Sequence, residues 1–203
     1  MSETITYKLP KTLAQITLGQ YVAFMSAKTD QAKAAIAVGK SVKDIEGLTF
    51  HAIQTICELY EEVCEQTTAT HHGTFVVGEM RLGFIPDFDA ITFREHIDMD
   101  ALAQAVWPSG GEVNYSNLPK LMAVLFRPVA ERLGSQYRIK PYDASKMDEY
   151  MPYIMGMPMD RVNGALVFFS NIANQLALSS RAYLADKLRR KMEEILELEW
   201  EEG

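Results

Sequence analysis

One phrase occurs twice in this chain. Leu9-Pro10-Lys11-Thr12-Leu13-Ala14-Gln15-Ile16-Thr17 returns, one residue shorter, as Ile85-Pro86-Asp87-Phe88-Asp89-Ala90-Ile91-Thr92. In each copy the residue before Pro is held extended, an apolar residue stands three before Ile, and Thr sits where its hydroxyl can cap the helix that follows. Both copies lead into an aromatic, amphipathic segment, so two parts of the chain are committed to the same order of extended segment, turn and helix. The phrase is a structural device and carries no reaction chemistry.

Around these two fixed points, 203 residues with nearly half apolar are enough for one well-filled core, read here as a single domain over 1–203. The formal net charge of −7 and the lack of any basic run beyond Lys187-Leu188-Arg189-Arg190-Lys191 argue against a nucleic-acid partner, because phosphate binding needs clustered positive charge. The two cysteines, Cys57 and Cys64, lie seven apart on one predicted helix, about 10 Å along its axis, too far for a disulfide within it. Reduced thiols in a cytosolic setting fit that spacing. No secretory signal is expected at the N-terminus, and the most apolar window, 165–178, is interrupted by Ser170, Asn171, Asn174 and Gln175, so it reads as a core helix and not a membrane span.

The periodicity predicts an α+β, predominantly helical fold. A short N-terminal strand covers 5–9, a hairpin lies near 74–85 with Gly78 and Gly83 at bulge or turn positions, and a short strand lies near 136–141. Helices are predicted from Leu18 to about Ala27, in short pieces over Thr29–Val38 and Ser41–Ile45, and from Thr49 to about Cys64. In the last of these Phe50, Ile53, Ile56, Cys57, Tyr60 and Val63 share an inner face. A helix after Thr92 is expected to run through Ala105, with a break near Asp98. Another from Asn117 carries Leu118, Leu121, Met122, Leu125 and Phe126 inward and ends or kinks near Arg127-Pro128. If the chain has a lobe boundary it falls at 107–112, in Trp107-Pro108-Ser109-Gly110-Gly111. Helix is predicted over about 146–153 and, after Pro158, for a C-terminal helical segment at 159–203.

Candidate chemistry is sparse. His71 and His72 with Cys57 and Cys64 lack the paired spacing of a structural zinc site, so no metal is expected. The adjacent carboxylates Glu61-Glu62, Asp98/Asp100 and Glu193-Glu194 are not convergent by sequence. No nucleophile elbow, phosphate loop or dinucleotide turn is present, so no catalytic residue and no cofactor is assigned. Five of the eleven methionines fall at 147, 151, 155, 157 and 159 among Tyr150 and Tyr153, either as a helical core stripe or as an adaptable docking face. The terminal segment carries Leu184, Leu188, Ile195 and Leu198 at alternating four- and three-residue steps, apart from Lys191, and then six glutamates around Trp200. It is either a solvated amphipathic helix or one that reaches a basic partner surface. The candidate partner-binding residues are Met151, Met155, Met157, Phe168, Phe169 and Trp200.

Several phrases resemble bacteriophage tail-region proteins of the tail-assembly-chaperone-like kind. They are Ile16-Thr17-Leu18-Gly19-Gln20-Tyr21, Phe84 through Thr92, Leu121 through Val129 with Tyr137-Arg138-Ile139-Lys140-Pro141-Tyr142, and Met157-Pro158 leading to Gly164-Ala165-Leu166-Val167-Phe168-Phe169. Together they span most of residues 9–170. The resemblance implies a non-enzymatic phage morphogenesis protein in the host cytoplasm, without cofactor, that holds the tape-measure or another tail protein until the tube assembles; self-association into a homo-oligomer is compatible with it. The alternatives are a structural component of the mature virion, in tail, baseplate or connector, and a small cytosolic enzyme using His71 or His96 with a carboxylate.

Overall fold

Threonine hydroxyls decide where four of the helices begin. The computed structural model describes residues 7–68, 70–134 and 136–171. In it Thr17, Thr29, Thr49 and Thr92 sit in extended backbone, and each accepts the N–H three residues on at 3.2 Å. They open α1 (Leu18–Ser26), α2 (Asp30–Ala37), α3 (Phe50–Cys64) and α4 (Phe93–Val106). Then follow α5 (Leu118–Leu125), with Pro in its first turn, α6 (Met147–Met155), and a helix α7 over 159–171.

Four antiparallel strands, β1 (Thr74–Val77), β2 (Met80–Phe84), β3 (Phe126–Leu133) and β4 (Gln136–Ile139), pair in the order β1-β2-β3-β4. The β1–β2 turn uses Gly78 at φ +56, where a side chain would be strained. Gly83 is no bulge: it pairs in register with Thr74 and Arg127, and Tyr137 and Ile139 of β4 lie over its face. The Tyr137 hydroxyl donates to the Phe84 carbonyl at 2.9 Å, so β4 folds across β3 onto β2. The fold is therefore α+β and predominantly helical.

Several local expectations change. The described part of the N-terminal strand, 7–9, lies in no strand, and Leu13–Gln15 forms a single 3-10 turn before Thr17. Phe50, expected inward, is 65% exposed. It is the first residue of α3, and helical side chains lean toward the N-terminus, so it points past the helix end while Ile53 takes the inner face. α4 runs unbroken through Asp98, which accepts from Arg94 Nε and from the Tyr142 hydroxyl, both at 2.8 Å. After Leu125 the chain turns at once into strand, and Phe126 is buried in β3 and not in a helix. Pro128 lies in this strand although proline gives no N–H to a ladder. It is accommodated beside the register shift between Val129 and Glu131.

The described residues up to Ala165 form one compact unit, and 166–171 belong to a second. The loop 107–112 lies inside the first. Asn114 N–H donates to the Val106 carbonyl at 2.8 Å and the Asn117 amide to the Ala105 carbonyl at 3.3 Å, which folds this loop back on α4. Within the first unit Phe24 packs on Tyr60 with centroids 4.5 Å apart, and Phe75, Phe84 and Phe126 form a second aromatic cluster at 5.1 to 5.2 Å.

Phrase and core meet at a second backbone seam. Leu18 N–H donates to the Met157 carbonyl at 2.7 Å and Met159 N–H to the Ile16 carbonyl at 2.9 Å, bridging Thr17 to Pro158. In α7, Gly164 passes so close to the Thr70 carbonyl that any Cβ there meets backbone, while Gly47 has open space. Gly164→Ala should lower stability by about 1–3 kcal/mol, whereas Gly47→Ala should stay within about 0.5 kcal/mol of the parent, both read from urea unfolding midpoints.

Candidate functional site

The second copy of the repeated phrase builds the most unusual polar group of the described residues. Thr92 caps α4, and Glu95, three residues on, returns its carboxylate to the Thr92 N–H and hydroxyl at 3.3 Å, closing a capping box. The first copy closes the same box from Thr17 with Gln20, exposed and uncharged. Glu95 is instead buried at 3% exposure, and its other oxygen meets the Arg127 guanidinium of β3, itself 5% exposed. The two charges meet directly, and the Arg127 Nε–H has no hydrogen-bond partner among the described residues. Burial pulls the Arg127 pKa below its ordinary value, against the raising effect of Glu95.

A chain of contacts extends outward from this pair. The Arg127 cation lies 5.9 Å from the centre of the Tyr142 ring, and the Tyr142 hydroxyl donates to Asp98, which also holds Arg94. The Asp98 carboxyl is held below the usual carboxylate range, first by the Arg94 hydrogen bond and then by that of Tyr142. Burial and the Asp98 bond together push the Tyr142 phenol up. Two clefts flank Arg127 and Tyr142: one of about 660 Å³ toward α6, the other of about 390 Å³ toward the Ile85–Thr92 segment.

The proposed contact residues are dispersed. Met157 is fully buried and Met159 nearly so, because the seam with Ile16 and Leu18 draws them into the core; Met157 is therefore no partner-binding residue in this fold. Met151 and Met155 are half-buried, and Met155 closes over Gly19 of α1. In the second unit Phe168 is exposed and Phe169 half-buried, while Trp200 lies outside the described residues.

Sequence reasoning missed a stronger apolar face. On α4, Phe93 is 79% and Ile97 45% exposed, and Trp107 at the C-cap is 43% exposed. At 100° per residue these three fall within about 80° of arc. Asp100 and Gln104, hydrogen-bonded to each other at 2.8 Å, lie between them. The opposite face carries Glu95, Met99 and Val106 into the core. The signal was present in the i, i+4 pair Phe93 and Ile97, but the expected break at Asp98 divided the stripe.

The cysteines are poorly suited to chemistry. Cys57 is buried and Cys64 half-buried, and burial raises both thiols, Cys64 to about 12. Burial lowers the pKa of His71, which stacks edge-on with Phe84 at 4.6 Å, and His96 is exposed on α4; neither lines the clefts beside Arg127. Among the described residues no group of three or more His, Cys, Asp or Glu is placed to hold a metal ion, and no helix is long and apolar enough to cross a membrane. Comparison of the chain with protein-family models, curated proteins and solved structures finds no match.

Removing one partner of a buried pair leaves the other's charge unsolvated. Glu95→Ala should therefore cost about 3–5 kcal/mol, measured by chemical denaturation. Asp98 supplies the pH dependence. Its folded pKa is depressed, so its contribution is complete above the unfolded value and is lost as pH falls through the folded one. The gap in melting temperature between the parent and Asp98→Asn should be full above about pH 4 and close below it in a thermal series from pH 7 to 2.

Proposed function

We propose that this chain is a non-enzymatic bacteriophage morphogenesis protein, tail-assembly-chaperone-like, that binds an apolar helical segment of the tape-measure or another tail protein in the host cytoplasm. The observation that carries the reading is the face of α4. Phe93, Ile97 and Trp107 are large, exposed and aligned, on a helix whose other face already fills the core. Exposing such a stripe to water is unfavourable unless it is covered in use, and a helix-in-groove or helix-on-helix contact is the usual cover for i, i+4 anchors. The acidic net charge keeps a protein of this kind apart from its own copies while it waits. The phrases resembling tail-region proteins support the same reading, since two of them, Phe84–Thr92 and Leu121–Val129, run into or pack beneath α4.

The reading is tested by quantitative mass spectrometry of purified particles beside infected-cell lysate, with this chain's own peptides. It requires the chain in lysate with a tail protein and its loss from particles; a fixed copy number in particles would make it a virion component. The double change Phe93→Ser and Ile97→Ser should abolish co-purification of the tail protein. Both side chains are exposed, so unfolding should shift by no more than about 1 kcal/mol.

A further inference from the structure

The exposed stripe of α4 has the spacing of a coiled-coil contact. Phe93, Ile97, Asp100, Gln104 and Trp107 follow one another at steps of four, three, four and three, the repeat that keeps one helix face against a partner helix over two heptads. At 1.5 Å per residue the stripe is about 21 Å long, with an aromatic ring at each end and Asp100 at the midpoint, about 10 Å from both. All five side chains are exposed, and the two polar ones hold only each other, through the Gln104 amide on the Asp100 carboxylate at 2.8 Å. The stripe is thus apolar at its ends and carries one charge at its centre.

That central charge selects the occupant. Arg94 is the one Lys or Arg of residues 93–114, and Asp98 holds it at 2.8 Å, while Glu95 is committed to Arg127. Asp100 and the exposed Glu112 have no Lys or Arg nitrogen within 4.0 Å among the described residues. A helix laid along the stripe takes water from Asp100, and a wholly apolar one gives nothing back for it; a cation on the partner at that level does. A polar residue inside such a contact also fixes register and partner choice. A second copy of the chain fits poorly. Parallel pairing in register sets Asp100 against Asp100. Antiparallel pairing layers either Phe93 with Gln104 or Ile97 with Trp107, and each register leaves one aromatic end beyond the other helix.

We propose that α4 takes one helix of a different protein in a two-heptad coiled-coil contact, apolar where it covers Phe93, Ile97 and Trp107 and carrying a lysine or arginine opposite Asp100. This rests on the reading of α4 as a docking face and narrows its partner to a helix with a basic residue in an apolar stripe. The probes are three capped synthetic helical peptides of about three heptads, with leucine at the stripe positions, a neutral outer face, and lysine, glutamine or glutamate at the middle one. Each carries an uncharged fluorophore and is titrated with the full chain by anisotropy. The lysine peptide should bind about tenfold tighter than the glutamine peptide, with glutamate weakest. Asp100→Asn should erase that preference, and raising salt from about 0.05 to about 0.5 M should shrink it. Phe93→Ser with Ile97→Ser should abolish binding of the lysine peptide. Equal affinity for lysine and glutamine, or a lysine preference that survives Asp100→Asn, overturns the proposal while helix docking on α4 stands. Binding that survives the double serine change overturns it by placing the contact elsewhere. A parent that sediments as a dimer, and that the double change dissociates, overturns it in favour of a second copy. Binding of none of the three peptides overturns it as well, and the assembly reading is then decided separately by the particle measurement.

Discussion

The buried pair of Glu95 and Arg127 is the contact on which the arrangement of helix and sheet depends. Neither residue could be buried alone, because an ion stripped of water is too costly without a partner. Each therefore dictates the position of the other: α4 must begin where Glu95 reaches β3, and β3 must run where Arg127 meets the first turn of α4. Glu95 is also the third residue of the capping box, so the hydrogen bonds that start the helix orient the carboxylate that docks it. Tyr142 covers the guanidinium and connects it through Asp98 to the second turn of the same helix.

The two copies of the repeated phrase show how one backbone device serves two purposes. Both place a threonine cap, and both are pinned by a backbone bond to a distant segment, Leu18 N–H to the Met157 carbonyl in one and Ile85 N–H to the Leu125 carbonyl at the end of α5 in the other. They differ at the residue that completes the box. Gln20 satisfies the cap and remains at the surface, leaving α1 to be held by Gly19 against Met155. Glu95 carries a charge into the interior and so requires an arginine across from it.

Much of this was legible in the residues, because it rests on local rules. Thr17, Thr29, Thr49 and Thr92 announce their helices, the inner face of α3 from Ile53 to Val63 follows the helical period, and Gly78 marks the first hairpin. What stayed hidden depends on partners far along the chain. Phe126-Arg127-Pro128 reads as the end of a helix until β2 and β4 are there to pair with it. Met157 reads as either core or docking face until Ile16 and Leu18 bond to the backbone on both sides of Pro158. The exposed face of α4 and the burial of Glu95 with Arg127 depend on which distant segments do and do not pack there, and periodicity alone cannot report that.

The seam between Thr17 and Pro158 also bears on the order in which the molecule is completed. It joins segments from near the two ends of the first unit, so it carries a large loop-closure entropy and cannot form until almost all of that unit has left the ribosome. Before then the Ile16 carbonyl and the Leu18 N–H lack their backbone partners, although α1 can already be capped. Local contacts such as the β1–β2 hairpin are available early, whereas this closure comes late and ties the first-made helix to the last-made loop. Until that closure, α1 has only its earlier neighbours, α2 first among them, to pack against.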